Sequence, residues 1–253
     1  MEHNQNMENR TKGTIAAAAV GVLLVGVGTW YFVFRDDAPA AVDLESATEQ
    51  VTESTDSGDP DSTVPSPDGI SGRWTLDTES GSFDFESATG SFAGFRVQEE
   101  LASIGGTEAV GRTGEVTGTI VIDDTSLSSA ELVVDMASIT TDQPRRDGRV
   151  RDALEVQDFP TATFVLSEPV DLGAGAGRGE PVSAEANGQM TIHGVTIDTT
   201  ATLRAQLIDG TAVVVGTVPF AFADYDVEKP SAASVLSVAD DATIEFQLLF
   251  VPA

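Results

Sequence analysis

The chain has no cysteine, so neither disulfides nor thiol chemistry can contribute to fold or function. It has two histidines, His3 and His193, and a metal site built on imidazole would need more ligands than these. Positive charge is scarce: 13 lysines and arginines stand against 41 acidic residues, a formal net charge of −28. Such a balance excludes the basic footprint that nucleic-acid binding requires and describes a strongly solvated, self-repelling surface. Neither a G-x-S-x-G elbow nor a Ser-His or Cys-His pair is supported beyond the apolar N-terminal run. Catalysis has no candidate residues, and the sequence does not read as an enzyme.

What is present falls into four parts. A short polar head, residues 1–13, precedes an uncharged run at 14–34, Thr14–Phe34, about the length needed to cross a hydrocarbon core. Trp30 and Tyr31 lie at its far end, where amphipathic rings favour the membrane interface. Arg10 and Lys12 come before the run, and Asp36 and Asp37 follow Arg35, which predicts a cytoplasmic N-terminus and a cell-membrane protein whose main domain is extracytoplasmic. Ala38-Pro39-Ala40 also fits a small-x-small cleavage site, so a signal peptide competes with a single-pass anchor. The length of the run and the interposed Arg35 favour the anchor. Residues 35–72, rich in Asp, Glu, Ser, Thr and Pro, predict a disordered acidic linker.

Residues 73–253 carry a β pattern. Ser82–Glu86, Val116–Ile122, Ala130–Met136, Ala162–Leu166, Gln189–His193, Ala201–Leu207, Ala212–Val218 and Thr243–Phe250 alternate or are β-branched, with turn residues between them. About eight strands and one helical turn predict an all-β fold, an eight-stranded antiparallel barrel whose lumen can hold a ligand. Gly173–Gly179 (GAGAGRG) lacks the strand-then-helix context of a dinucleotide loop. The Asp-Asp pairs at 123–124 and 240–241 have no spaced calcium loop and read as solvated turns. No metal and no cofactor are expected.

Three ordered blocks carry a family resemblance. Ser138–Phe164 (SITTDQPRRDGRVRDALEVQDFPTATF) resembles the signature segment of YceI-like proteins: an Arg-Asp pair, a helical turn, Asp-Phe-Pro and a strand. Gly188–Thr196 (GQMTIHGVT) is similar to that family's hairpin, and Phe222–Pro230 (FADYDVEKP) to its late loop. With Trp74-Thr75-Leu76-Asp77 the resemblance spans roughly Arg73–Pro252. It implies a lipocalin-like barrel around an elongated apolar cavity and an isoprenoid or other long-chain lipid as partner. Phe92–Gly118 departs from the family pattern and reads as a Gly-rich insertion near the cavity mouth.

The candidate lining residues come from the early strands (Phe83, Phe85, Phe92, Phe95), from the middle (Leu132, Val134, Met136, Phe164, Leu166) and from the late strands (Met190, Ile192, Leu203, Phe246, Leu248). A single slip in register would turn any strand's set outward. Arg146 and Asp147, matching the family's Arg-Asp pair, either pin the helical turn to the barrel or meet a lipid head group. The function expected is sequestering or shuttling of a long-chain amphiphile. The rival is a filled barrel acting in protein interaction or envelope stress, and a homodimer is compatible with either.

Overall fold

The computed structural model describes residues 38–56, 69–102, 105–230 and 235–253. In chain order these form helix α1 (Leu44–Asp56), β1 (Gly72–Leu76), β2 (Phe92–Leu101), β3 (Gly105–Thr113), β4 (Val116–Asp123), β5 (Ser126–Asp135) and β6 (Thr140–Thr141). Helix α2 (Pro144–Ala153), β7 (Thr161–Leu166), β8 (Val170–Asp171), β9 (Val182–Ile192), β10 (Val195–Ile208), β11 (Thr211–Ala221) and β12 (Val235–Pro252) follow.

Eight of these strands close a ring in the order β1-β4-β5-β7-β9-β10-β11-β12, with β12 returning to β1 through Trp74 opposite Pro252 and Leu76 opposite Phe250. The pairs around it are antiparallel, and closure removes the edges that an open sheet would expose. The tight hairpins use His193-Gly194 and Asp209-Gly210, both residues of each pair at positive φ, as the twist of a two-residue turn demands.

The eight-stranded closure agrees with the sequence, but its membership differs in one place. Ser82–Glu86 is not a strand: its backbone is held in a loop by Thr89 N–H donating to the Ser82 carbonyl, and β1 closes the ring instead. Phe92–Leu101 and Gly105–Thr113, read from the sequence as an insertion, are two long strands. They continue the sheet from Val235–Gln247 of β12, Phe95 pairing with both Ile244 and Gly111.

One end of the barrel is plugged. Trp74 and Ile70 are buried there, with the Trp74 indole N–H donating to the Ile70 carbonyl at 2.9 Å, and Val170 and Ala176 pack beside them. At the other end lie the β9–β10 hairpin, the turn Phe222–Tyr225, the β2–β3 tip and α2. Helix α2 starts on Pro144, whose missing N–H costs nothing at a first turn. It is tied to the sheet by Asp147, whose carboxylate accepts from the Thr141 backbone N–H at 2.8 Å and from its hydroxyl at 2.7 Å.

The expected disordered linker is ordered over Ala38–Asp56 and lies against the outer wall. Arg96 and Arg112, on β2 and β3, donate to the carbonyls of Pro39 and Ala40. The Asp43 carboxylate then caps α1 by accepting from Glu45 N–H and Ser46 N–H, and Leu44, Ala47 and Val51 pack on Val213, Val215 and Leu249. The i, i+3, i+7 spacing of those three residues was the sequence signal for a helix with one apolar stripe. Equally telling, β11 is apolar on both faces, so its outer face needed a cover. Residues 57–68 and the apolar run 14–34 lie outside the described residues. Among those described, no helix is long and apolar enough to cross a membrane.

Leu44 is 1% exposed. Burial of a leucine contributes about 1.5–3 kcal/mol, more than a docked two-turn stripe can lose and stay down. Leu44→Asp is therefore expected to release Ala38–Asp56 as a unit. Hydrogen exchange should show lost protection in α1 and on Val213 and Val215, with the hairpin β9–β10 unchanged.

Candidate functional site

Alternation along the strands puts one side chain in two inside the ring, and the inward set is apolar and mostly small. Ala130, Ala162, Ala186, Ala201 and Ala242 face the lumen between the larger Met190, Leu203, Val218 and Leu248. The cavity they enclose measures about 390 Å³, within the range of ligand-binding pockets. It is hollow because of a repeated pairing of a large residue with a glycine. Phe95 lies over Gly111, Phe246 over Gly216, Phe164 over Gly188 and Leu132 over Gly118, each folded flat where a β-carbon would otherwise sit. The rings coat the wall instead of crossing the bore.

That arrangement gives a direct prediction. A β-carbon at position 111 would overlap the Phe95 ring, and its nearest neighbours are side-chain atoms of Phe95 and Ile139. Gly111→Ala should therefore tip Phe95 into the lumen, at about 1–3 kcal/mol of overpacking cost. Uptake of a fluorescent long-chain lipid should weaken several-fold while the domain stays folded.

Polarity on the wall is confined to the end opposite the plug. There Glu99 from β2 lines the cavity with Gln143, the N-cap of α2, and with Arg146 and Arg149 of that helix, where spacings of three put their side chains in line. Arg146 is held twice, by Glu99 on β2 at 3.3 Å and by Asp142 on its own helix. Arg149 is exposed and has no hydrogen-bond or ion-pair partner among the described residues. The mouth therefore offers one satisfied guanidinium and one free one. At the same end of the barrel the Tyr225 ring stacks on Phe220 at 5.2 Å, and burial, reinforced by Asp224, pushes its phenol up, so it stays neutral.

The sequence-derived residues divide cleanly. Phe95, Leu132, Val134, Met136, Phe164, Leu166, Met190, Ile192, Leu203, Phe246 and Leu248 lie on the lumen wall, with Arg146 at its mouth. Four are elsewhere. Phe83 and Phe85 belong to the Ser82–Thr89 loop, and Phe83 is 38% exposed against Gly114. Phe92 and Phe95 are three apart, so a strand cannot send both inward. Phe92 faces out, its ring under the Arg112 guanidinium at 4.7 Å. Asp147 is spent on Thr141. The sequence reading missed the alanines, because a small residue carries no apolar signal even where it sets the bore.

A barrel of this topology, with a helix across one mouth and a signature Arg-Asp pair in that helix, has known counterparts. A family model described as YceI-like domain matches residues 74–250. The chain belongs to the YceI-like family. A similar solved structure is a polyisoprenoid binding domain from Saccharophagus degradans implicated in plant cell wall breakdown. It is 25% identical, with a TM-score of 0.55, covering 71% of this chain and 98% of that one. Burkholderia cenocepacia BcnA is 20% identical, with a TM-score of 0.49, covering 62% of this chain and 95% of BcnA. Among curated proteins, none matches the chain. Within this YceI-like domain, His193 occupies the hairpin turn with Nδ1 3.0 Å from the Tyr225 carbonyl, and no group of residues able to hold a metal occurs among those described.

A second polar cluster lies outside the lumen. Glu245, 1% exposed, accepts from Arg96 at 2.6 Å and from Arg112 at 2.8 Å, and Arg96 also meets Glu108 at 2.6 Å. Burial pulls the Arg112 guanidinium below its ordinary value despite Glu245, and the neighbouring Arg96 adds to the fall. Arg96 is desolvated too, yet its two carboxylates hold it above the ordinary value. With the carbonyls of Pro39 and Ala40 as further acceptors, this cluster is the joint between the barrel and Ala38–Asp56, the strap along its outer wall.

Proposed function

We propose that the domain binds one long-chain lipid of isoprenoid type, tail in the lumen and head group at the α2 mouth, and sequesters or shuttles it outside the cytoplasm. The observation that carries this is the hollow, apolar lumen of about 390 Å³ whose polar side chains stand at one end only. A tail gains roughly 0.8 kcal/mol for each methylene removed from water, so such a wall binds without specific polar contacts. The isoprenoid class is supported by the Saccharophagus degradans neighbour, a polyisoprenoid binding domain. Arg149, free at the mouth, suits an anionic or hydrogen-bond-accepting head group. On this reading the chain is a carrier and not an enzyme, and the run 14–34 is its single-pass anchor, N-terminus in the cytoplasm. A barrel serving only protein interaction has no need of glycines that keep aromatic rings off the bore.

Native mass spectrometry of residues 38–253, which retain the strap, tests the reading when the protein is made in a lipid-rich host. One added mass per chain, released as a single lipid on extraction, is the expected result. A bare mass that persists after incubation with polyprenyl lipids would shift the case to an interaction module.

A further inference from the structure

The strap has a direction. Pro39 is held by Arg96, which lies opposite Thr243 of β12; Ala40 is held by Arg112, opposite Gly94; Leu44 then packs on Leu249 and Val213. The chain thus enters at the level of Arg96 and runs along the outer wall toward the plugged end. Its N-terminal side points at the mouth.

Chain length turns this direction into an orientation. From Phe34, the last residue of the apolar run, to Ala38 the connection spans at most about 14 Å at ~3.5 Å per residue. From Arg96 to the β2 tip at Leu101 is five residues, about 16 Å of strand. From Thr243 to Pro252, at the plugged end, is nine residues, about 30 Å. The apolar run can therefore emerge beside the mouth and cannot reach the plug. We infer that the strap fixes the barrel with its α2 mouth toward the lipid bilayer, so that the lumen is loaded from the membrane that anchors the chain. This rests on the reading of 14–34 as a membrane span.

The rim has what that position needs. Leu236 is 63% exposed there, next to Val235 of the lumen wall, which pairs with Leu101. Electrostatic attraction is not the cause. Arg145 and Arg149 are exposed on α2, but Asp224, Asp226 and Glu228 are exposed on the same end, so the rim is not a basic surface. Tethering geometry sets the orientation, and it should persist on uncharged membranes and in high salt.

Because the chain has no cysteine, single labels report single sites. The full chain is placed in phosphatidylcholine vesicles carrying a nitroxide-headgroup lipid, with a fluorophore on Ser237→Cys at the rim or on Asp123→Cys at the plugged end. Quenching several-fold stronger at the rim, unchanged by salt, is expected. Adding Leu44→Asp and Val51→Asp, which free the strap, should bring the two labels close to equality. Equal or reversed quenching in the intact chain, on vesicles that co-float with it, would overturn the orientation and leave the anchor standing. A chain that does not co-float would overturn the anchor and the orientation with it. Rim quenching that survives strap release would show that something other than the strap orients the barrel.

Discussion

Ala201→Trp is expected to abolish lipid uptake in a domain that still folds. Ala201 is 4% exposed on the inner face of β10, opposite Ala186 of β9 and two residues from Leu203 on the same face. An indole there must point into the bore, because the strand period gives it no other direction. In a packed core the same substitution would be ruinous, since overfilling forces off-rotamer side chains and backbone shifts. Here the lumen receives the ring, so the stability cost should stay near the usual 1–3 kcal/mol of overpacking. Each methylene of a tail displaced from the wall forfeits about 0.8 kcal/mol, so losing four already costs over a hundredfold in affinity. Displacement of a fluorescent polyisoprenoid analogue, with urea unfolding as the control, reads both quantities. A folded Ala201→Trp variant that bound the analogue as before would sink the lumen as the site.

Glu245→Ala is expected to have the largest effect on stability. The carboxylate lies between Arg96 and Arg112, which are 10% and 4% exposed at their side chains, and it is their shared partner. Removing one member of a buried ionic group leaves uncompensated charge, typically at about 3–5 kcal/mol. Here two guanidiniums would be left facing each other, with Glu108 to offset only Arg96. Urea unfolding should show the loss, and α1 should lose hydrogen-exchange protection at lower denaturant than the ring, since the cluster also holds Pro39 and Ala40. Replacing Arg96 by methionine, Arg112 by leucine and Glu245 by methionine together should cost much less, because the one carboxylate left over, Glu108, is 26% exposed at its side chain and keeps Gln98 as a donor. Equal losses in the two variants would mean that shape and not charge is what Glu245 supplies.

Much of the barrel was legible because alternation is a strong signal where one face is buried and the other wet. Val116–Ile122, Ala162–Leu166 and Thr243–Phe250 were placed as strands on that basis, and their inward residues are on the lumen wall. The reading failed where the same pattern arises by chance over a few residues, as in Ser82–Glu86. It failed again where glycine dilutes the alternation, as in Gly105–Thr113, whose glycines at 105, 106 and 111 hid a strand. The acidic stretch before the barrel was misread for a different reason. Composition averages over a window, whereas Leu44, Ala47 and Val51 are three residues on one stripe that only a tertiary partner makes worth ordering. The bore itself was invisible, since it depends on which glycine sits across from which ring.

The seam between β1 and β12 joins the first strand of the ring to the last, Trp74 to Pro252. The ring pairings from β1 through β11 need only residues before β12, but this one waits for Phe250–Pro252. Until then the ring is an open sheet with two bare edges, and the lumen is a trough exposed to whatever surrounds it. Long-range pairings of this kind fold slowly. The cavity is thus closed only when the last strand of the ring reaches the first, and a lipid can be enclosed only after β12 is in place.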